Sequence, residues 1–409
     1  MNVYSGATGA RLPRWLLPDN WPLKDNQPQQ ATLHFHAEGL QFEPDSGSSY
    51  VNYLALNGAL VLPALIEPHA HLDKTFTVQR SPAQQAGLLA AIAAMHQDRE
   101  NWNADDLRQR ATRALHWAVE GGVGVLRTHI DWFSADAPLA WQVIGELSHP
   151  LCDIERVALA PLNFFANATD AQHIAAQVAL SGQGALLGGF IHSSNWNAQA
   201  FENLLQAASQ YQLDIDLHID EELNSSAQGM RWLARYLQKS PFKGQITCSH
   251  SCALSLQDDA QQILDVLAQQ RVTLIALPLT NLLLQDAVQG RTPRLRGLTL
   301  IKEAQARGIP LLLGADNVQD AFCPLGSYDP LDTLFSGLLS LQLGAAFDEA
   351  SALICQRSAL HAGAVQFSND LVVFPDADIT SWPLRQRQRY RLKNGVCYAL
   401  KAGEQTDGA

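Results

Sequence analysis

Basic residues are scarce in this chain. Only 28 Lys and Arg stand against 40 Asp and Glu, a formal net charge of -12 over 409 residues, with a pI near 5.5. A phosphate-backbone partner wants a basic stripe, so the balance argues against nucleic acid. Long apolar runs are missing too, since none approaches the ~20 residues needed to span a bilayer. The N-terminus, Met1-Asn2-Val3-Tyr4-Ser5-Gly6, lacks a basic flank followed by an apolar core. The expectation is a soluble cytoplasmic protein with no membrane partner. Cysteines are few and scattered: Cys152, Cys248, Cys252, Cys323, Cys355 and Cys397 form no framework, and reduced thiols are expected. Low-complexity tracts and tandem repeats of solenoid length are absent.

What the chain has is apolar content, 47% of residues, enough for a parallel barrel of ~250 residues and a smaller second unit. Strand-like runs alternate with helix-like ones, the pattern of βα units. Strands are expected at Leu60 to Ile66, Val123 to Ile130, Val157 to Phe165, Leu187 to His192, Ile215 to Ile219, Gln245 to Ser249, Val272 to Leu277 and Pro310 to Ala315. Helical spacing marks Ala83 to His96, Ala104 to Glu120, Ala198 to Tyr211 and Asp258 to Gln270. Both chain ends read as turns and short strands, and neither is long enough to bury a core alone. The expected fold is therefore an α/β (β/α)8 TIM barrel over residues 62–364. Residues 1–61 and 365–409 are expected to pair into one small β-sandwich domain.

The chemistry gathers at strand ends. Leu62-Pro63-Ala64-Leu65-Ile66-Glu67-Pro68 runs into His69-Ala70-His71, and side chains two apart on a strand share a face, so the pair can hold one ion. His34-Phe35-His36 has the same spacing and reads as an ordinary strand face. His218 and Glu221 follow Asp214-Ile215-Asp216-Leu217, His250 follows Gln245-Ile246-Thr247-Cys248-Ser249, and Asp316 follows Leu313-Gly314-Ala315. A parallel barrel keeps its site at those carboxyl ends. His69, His71, His218 and Asp316 would supply three imidazoles and a carboxylate to a divalent metal with a position left for water. Glu221 reads as a proton shuttle or as a solvated loop acid beside Asp220 and Glu222. His250 reads as a group orienting the attacking hydroxide or as a core histidine. Cys248 and Cys252 flank His250, but no matching second pair exists for a zinc thiolate site.

These residues resemble the amidohydrolase superfamily, and within it the cytosine deaminase-like branch. The resemblance covers most of the chain. It rests on Glu67-Pro68-His69-Ala70-His71-Leu72-Asp73, Arg127-Thr128-His129-Ile130-Asp131, His218-Ile219-Asp220-Glu221, Ser249-His250-Ser251 and Gly314-Ala315-Asp316-Asn317-Val318. It implies one divalent metal per chain, Zn or Fe, held by His69, His71, His218 and Asp316, with Glu221, His250 and Asp316 catalytic. Binuclear relatives add a bridging Lys or Glu at a middle strand, whereas strand four here ends Gly189-Phe190-Ile191-His192-Ser193-Ser194. Homo-oligomers are common in the family, and no feature of the sequence sets a number.

Two departures bear on the substrate. Cytosine deaminases carry Pro-Gln at the end of strand three, where this chain reads Ala160-Pro161-Leu162-Asn163-Phe164. Leu162 cannot hydrogen-bond a pyrimidine, which makes cytosine doubtful. If Leu162 faces inward, strand alternation aims Asn163 away. Lys74 resembles a lysine of N-isopropylammelide isopropyl amidohydrolase and would bind a substrate carbonyl or ring oxyanion, or else pair with Asp73 at the surface. Phe76, Trp132, Phe164 and Phe322 are candidate flat walls for a heterocycle. The expected activity is metal-dependent hydrolysis of an exocyclic amino or alkylamino group from a pyrimidine, triazine or pterin-like ring. The alternatives are cleavage of a cyclic or acyclic amide, and a silent metal- or ligand-binding relative.

Overall fold

The computed structural model describes residues 2–82, 87–364, 367–385 and 388–400. Eight parallel strands follow one another around a single sheet. They are β1 (Leu65–Ala70), β2 (Val123–Asp131), β3 (Asp153–Pro161), β4 (Ala185–Ile191), β5 (Ile215–Ile219), β6 (Ile246–His250), β7 (Val272–Ala276) and β8 (Leu311–Leu313). The sheet closes through a parallel bridge between Ala70 and Asp316, where the Asp316 N–H donates to the His69 carbonyl at 2.8 Å. The seam of the (β/α)8 barrel thus lies at two of the expected metal ligands. Helices Ala104–Glu120 and Ala198–Tyr211 each begin at an asparagine, Asn103 or Asn197, whose side chain accepts backbone N–H bonds of the first turn. Another helix spans Leu88–Asp98; of the expected Ala83 to His96, positions 83–86 lie outside the described residues.

Two strand expectations change. The run from Leu60 to Ile66 is two strands, because Ala64 N–H still donates to Asp370 while Leu65 N–H donates to Gly122 in the barrel. The chain changes sheets between those two residues. The run from Val157 to Phe165 ends as a strand at Pro161, and Leu162–Phe165 turns into a 3-10 helix. That turn rotates Leu162 and Asn163 out of strand alternation.

The terminal segments form a small β-sandwich. Strands Gly39–Pro44, Ala31–His36, Gly6–Ala10 and Tyr53–Ala55 make one sheet, and Val396–Ala399, Tyr390–Lys393, Asp370–Phe374 and Leu60–Pro63 the other. Leu33, Val61, Leu371, Val373 and Leu392 share its core, so each end supplies part of what neither could bury alone. His34 bonds Tyr53 Oη at 2.7 Å on the face of its strand. Arg391, wholly buried, ties this unit to the barrel. It bonds both Asp370 oxygens and donates to the carbonyls of Gly122, Val123 and Leu151. Arg391→Ala strips all five acceptors, and we expect chemical denaturation to show a loss of about 3–5 kcal/mol.

A charged layer crosses the barrel interior, where apolar branched residues usually stack. Arg127 of β2 donates from Nε to Glu155 Oε2 of β3 and from Nη1 to Asp216 Oδ2 of β5, both at 2.8 Å. Burial would raise the Glu155 pKa, but Arg127 and His361 outweigh it and lower it from 4.5 to about 2. A depressed carboxyl stabilises the fold above its unfolded pKa, and that stabilisation is lost as pH falls toward the folded value. Glu155→Gln is therefore expected to cost about 3 kcal/mol at neutral pH. In urea titrations the difference from wild type should shrink below pH 4.5 and vanish near pH 2. A difference independent of pH would contradict it.

Candidate active site

His69 lies near the end of β1, at an irregularity in its pairing with β2 between Glu67 and Ala70, and His71 follows just beyond the strand. Such irregularities re-aim side chains. His218 sits in β5, His250 ends β6, and Asp316 follows β8. His250 and Asp316 both hold left-handed backbone conformations, φ 67° and 63°. Non-glycine residues rarely take this strain unless the surroundings impose it, and they cluster at functional sites.

The side chains converge on one point. His218 Nε2 lies 3.1 Å from His69 Nε2 and 3.2 Å from His71 Nε2, while Asp316 Oδ1 lies 3.0 Å from His71 Nε2 and 3.5 Å from His69 Nε2. Donors about 2.1 Å from a tetrahedral ion stand roughly 3.4 Å apart, so the spacing suits a divalent metal. Both Asp316 oxygens are buried without a hydrogen-bond partner among the described residues, an expensive arrangement unless a cation supplies the missing partner. At this point the group whose donor atoms all lie within 4.8 Å of one another is His69, His218, His250 and Asp316, with His250 rather than His71 as its third imidazole.

Electrostatics favour the ligating forms. Burial, and then the Lys74 charge, lower the His71 pKa to about 4. Burial and the neighbouring histidines push His218 well below its ordinary range. These imidazoles are neutral and carry a lone pair. Burial works against the Asp316 anion, but the neighbouring His69, His71 and His250 outweigh that and hold its carboxyl well below the usual range. Glu221 goes the other way: burial, then the Asp316 charge, raise it well above the carboxylate range. Two buried carboxyls near one another are thus pushed in opposite directions, which is how acid and base roles are divided in a site.

A cavity of about 400 Å³ opens onto this cluster, lined by His71, His218, Glu221, His250 and Asp316. Glu221 Oε1 lies 3.3 Å from His250 Nδ1. Lys74 is buried at the wall, paired with Asp131 Oδ1 at 2.9 Å and set over the Phe322 ring at 5.1 Å. The expected surface pair with Asp73 does not form; Asp73 instead accepts from Asp131 N–H. Trp132, Phe164 and Phe322 wall the cavity. Phe76 does not, packing edge-on against Trp117 at 4.8 Å.

Residues 155–366 match the Amidohydrolase family. Pterin deaminase of Rhizobium rhizogenes (strain K84) is 31% identical over 332 residues, covering 78% of this chain and 76% of that protein. The chain belongs to the amidohydrolase family. N-isopropylammelide isopropyl amidohydrolase of Pseudomonas sp. (strain ADP) is 24% identical over 285 residues, 66% of each protein. The crystal structure of 5-methylcytosine deaminase from Klebsiella pneumoniae liganded with 5-fluorocytosine superposes at TM-score 0.78 and 21% identity, over 98% of this chain and 99% of that one. At that identity the likeness establishes the fold.

In this amidohydrolase Asn163, not Leu162, reaches the cavity. Leu162 is wholly buried in the apolar core, because the 3-10 turn replaces the strand alternation that would have pointed it inward. Motif reading also passed over several wall residues. Asp131 and Phe133 bracket Trp132 at the end of β2, Phe190 comes from β4, and Leu88, Ile92 and Met95 come from the helix Leu88–Asp98. Asp131 closes the run Arg127-Thr128-His129-Ile130-Asp131 and was within reach of a strand-end argument. The helix residues carried no such signal, since apolar spacing on a helix reads as packing. Cys248 and Cys252 are buried free thiols whose pKa values burial raises.

Proposed function

We propose that this amidohydrolase removes an exocyclic amino or alkylamino group from a nitrogen heterocycle, replacing it with oxygen from water. The observation that carries the reading is geometric: Glu221, which burial and the Asp316 charge push upward, lines the same buried cavity as Asp316, His71, His218 and His250. Deamination of a cyclic amidine needs that pair: an acid for the ring nitrogen and a base for water. Amide cleavage could use the same pair, and the new carboxylate it leaves tells it apart.

His69, His71, His218 and Asp316 would hold one divalent ion, Zn or Fe, both suited to imidazole and carboxylate donors. When bound, the ion supplies a nucleophile at neutral pH by lowering the pKa of water toward ~7. Asp316 would take a proton from the attacking water and pass it to the departing amine. Glu221 would donate its proton to the ring nitrogen beside the carbon under attack and take back the proton of the added hydroxyl as the oxo group forms. His250 Nε2, buried without a partner among the described residues, is free to bond the attacking oxygen. The products are the oxo-heterocycle and ammonia or an amine.

Lys74 and Asn163 would meet ring oxygens and nitrogens, with Phe164 and Phe322 against the ring faces. The size of the cavity, together with the pterin deaminase relative, favours a pterin-like bicyclic ring over cytosine. The cysteines, none of them in a disulfide among the described residues, support a reducing, cytoplasmic setting. Division into a barrel and a composite sandwich belongs to the same proposal, with the expected boundary after residue 61 moved to between Ala64 and Leu65, because Leu60–Pro63 pairs with Asp370–Phe374. The test is ammonia and amine release by Zn- and Fe-loaded protein from pterins, N-alkylammelides, isocytosine and cytosine. Release from a pterin with no new carboxylate supports the reading. A new carboxylate, or silence across the panel with one metal bound, overturns it.

A further inference from the structure

The charged layer beneath the histidines connects to them atom by atom. His69 Nδ1 lies 2.8 Å from Ser249 Oγ, and Ser249 Oγ lies 3.4 Å from Asp216 Oδ1. Asp216 Oδ2 accepts from Arg127 Nη1 at 2.8 Å, and Arg127 Nε donates to Glu155 Oε2 at 2.8 Å. His361 Nε2 meets Glu155 Oε1 at 2.7 Å, and His129 Nε2 meets Asp216 Oδ1 at 3.1 Å. Donor atoms of His69, His129 and Asp216 are also close enough to suggest a second cation. That role is already filled, because the Arg127 guanidinium is a permanent internal charge bonded to Asp216.

The polarity of this line has one consistent direction. An ionised carboxylate only accepts, so the Ser249 hydroxyl hydrogen points to Asp216. The Ser249 lone pair then faces His69, which must carry its proton on Nδ1 and its lone pair on Nε2. Without Asp216 the hydroxyl is free to rotate and donate to Nδ1, which selects the wrong tautomer for ligation. We propose that Asp216 and Ser249, anchored by Arg127 and Glu155, are positioning residues that set the His69 tautomer and aim its Nε2 at the metal. Nothing in the reaction passes through them; they act through His69. The inference rests on the reading of His69 as a ligand.

The test is zinc affinity of the full-length protein, measured by competition with a chromophoric chelator. Ser249→Ala should bind zinc about 10- to 100-fold more weakly, the usual effect of losing a group that orients a ligating histidine. Ser249→Thr, which keeps the hydroxyl, should stay within about threefold of wild type. Thr247→Val removes a 3.1 Å contact to Arg127 that is not on the line to His69 and should leave affinity unchanged. Wild-type affinity in Ser249→Ala would overturn the proposal, as would equal weakening in Thr247→Val, which would make the layer simple packing. If Ser249→Ala does not fold, zinc-loaded wild type decides through 15N-histidine NMR: a slowly exchanging His69 Nδ1–H supports the relay, and a rapidly exchanging one overturns it. His69→Gln separates the underlying reading, since undiminished zinc binding there would overturn the ligand assignment and the relay with it.

Discussion

Glu221→Gln is expected to lower kcat by roughly 10²- to 10⁴-fold, the span seen when a general acid is removed, while zinc content stays at the wild-type value. The substitution keeps shape and burial and removes only the transferable proton. Glu221 is buried, and that burial and the Asp316 charge push its pKa well above the carboxylate range, favouring the acid form. An acid that acts in its protonated form loses its contribution as pH rises through its own pKa. The wild-type rate should therefore decline on the alkaline side, and the variant should lose that limb. A pH profile of kcat for both proteins, with metal analysis alongside, checks this. Turnover within threefold of wild type, or a variant that keeps the alkaline limb, would assign the acid to another group and return Glu221 to a loop role.

Asp316→Asn should do more. It takes away a proton acceptor for water, worth up to ~10⁴-fold, and the only anionic donor among the four convergent atoms. Loss of more than ~10⁴-fold in kcat/KM is expected, with zinc retained poorly after dialysis against a chelator. The geometry explains why the amide cannot substitute. Asp316 Oδ1 lies within 3.5 Å of two imidazole nitrogens, and an amide oxygen in its place carries neither the negative charge nor the basicity. Full zinc occupancy in Asp316→Asn with activity within tenfold of wild type would remove Asp316 from both roles.

Much of this site is visible in the chain because a parallel barrel converts one-dimensional placement into three-dimensional convergence. His69, His71, His218, His250 and Asp316 each end or follow an apolar run, and such runs deliver their carboxyl ends to one mouth. The same logic fails where the backbone departs from the strand. Leu162 and Asn163 exchange places between core and cavity because Pro161 ends β3 and a 3-10 turn follows. Lys74 finds Asp131 rather than Asp73, a choice made by the approach of β2 to the end of β1.

By itself the sequence determined the barrel, the shared sandwich of the two chain ends and the residue types from which a metal site could be assembled. These follow from period, apolar content and the position of polar residues relative to strands, all local properties. Tertiary structure alone decided that Glu221 is pushed up and Asp316 down in pKa, that Phe76 packs away from the cavity and that Arg127 lies between two carboxylates inside the barrel. Protonation depends on burial and on charges supplied by other strands. Hydrogen-bond direction depends on which acceptor lies across the barrel. Both are set by neighbours far apart in the chain, at distances that only the closed sheet establishes.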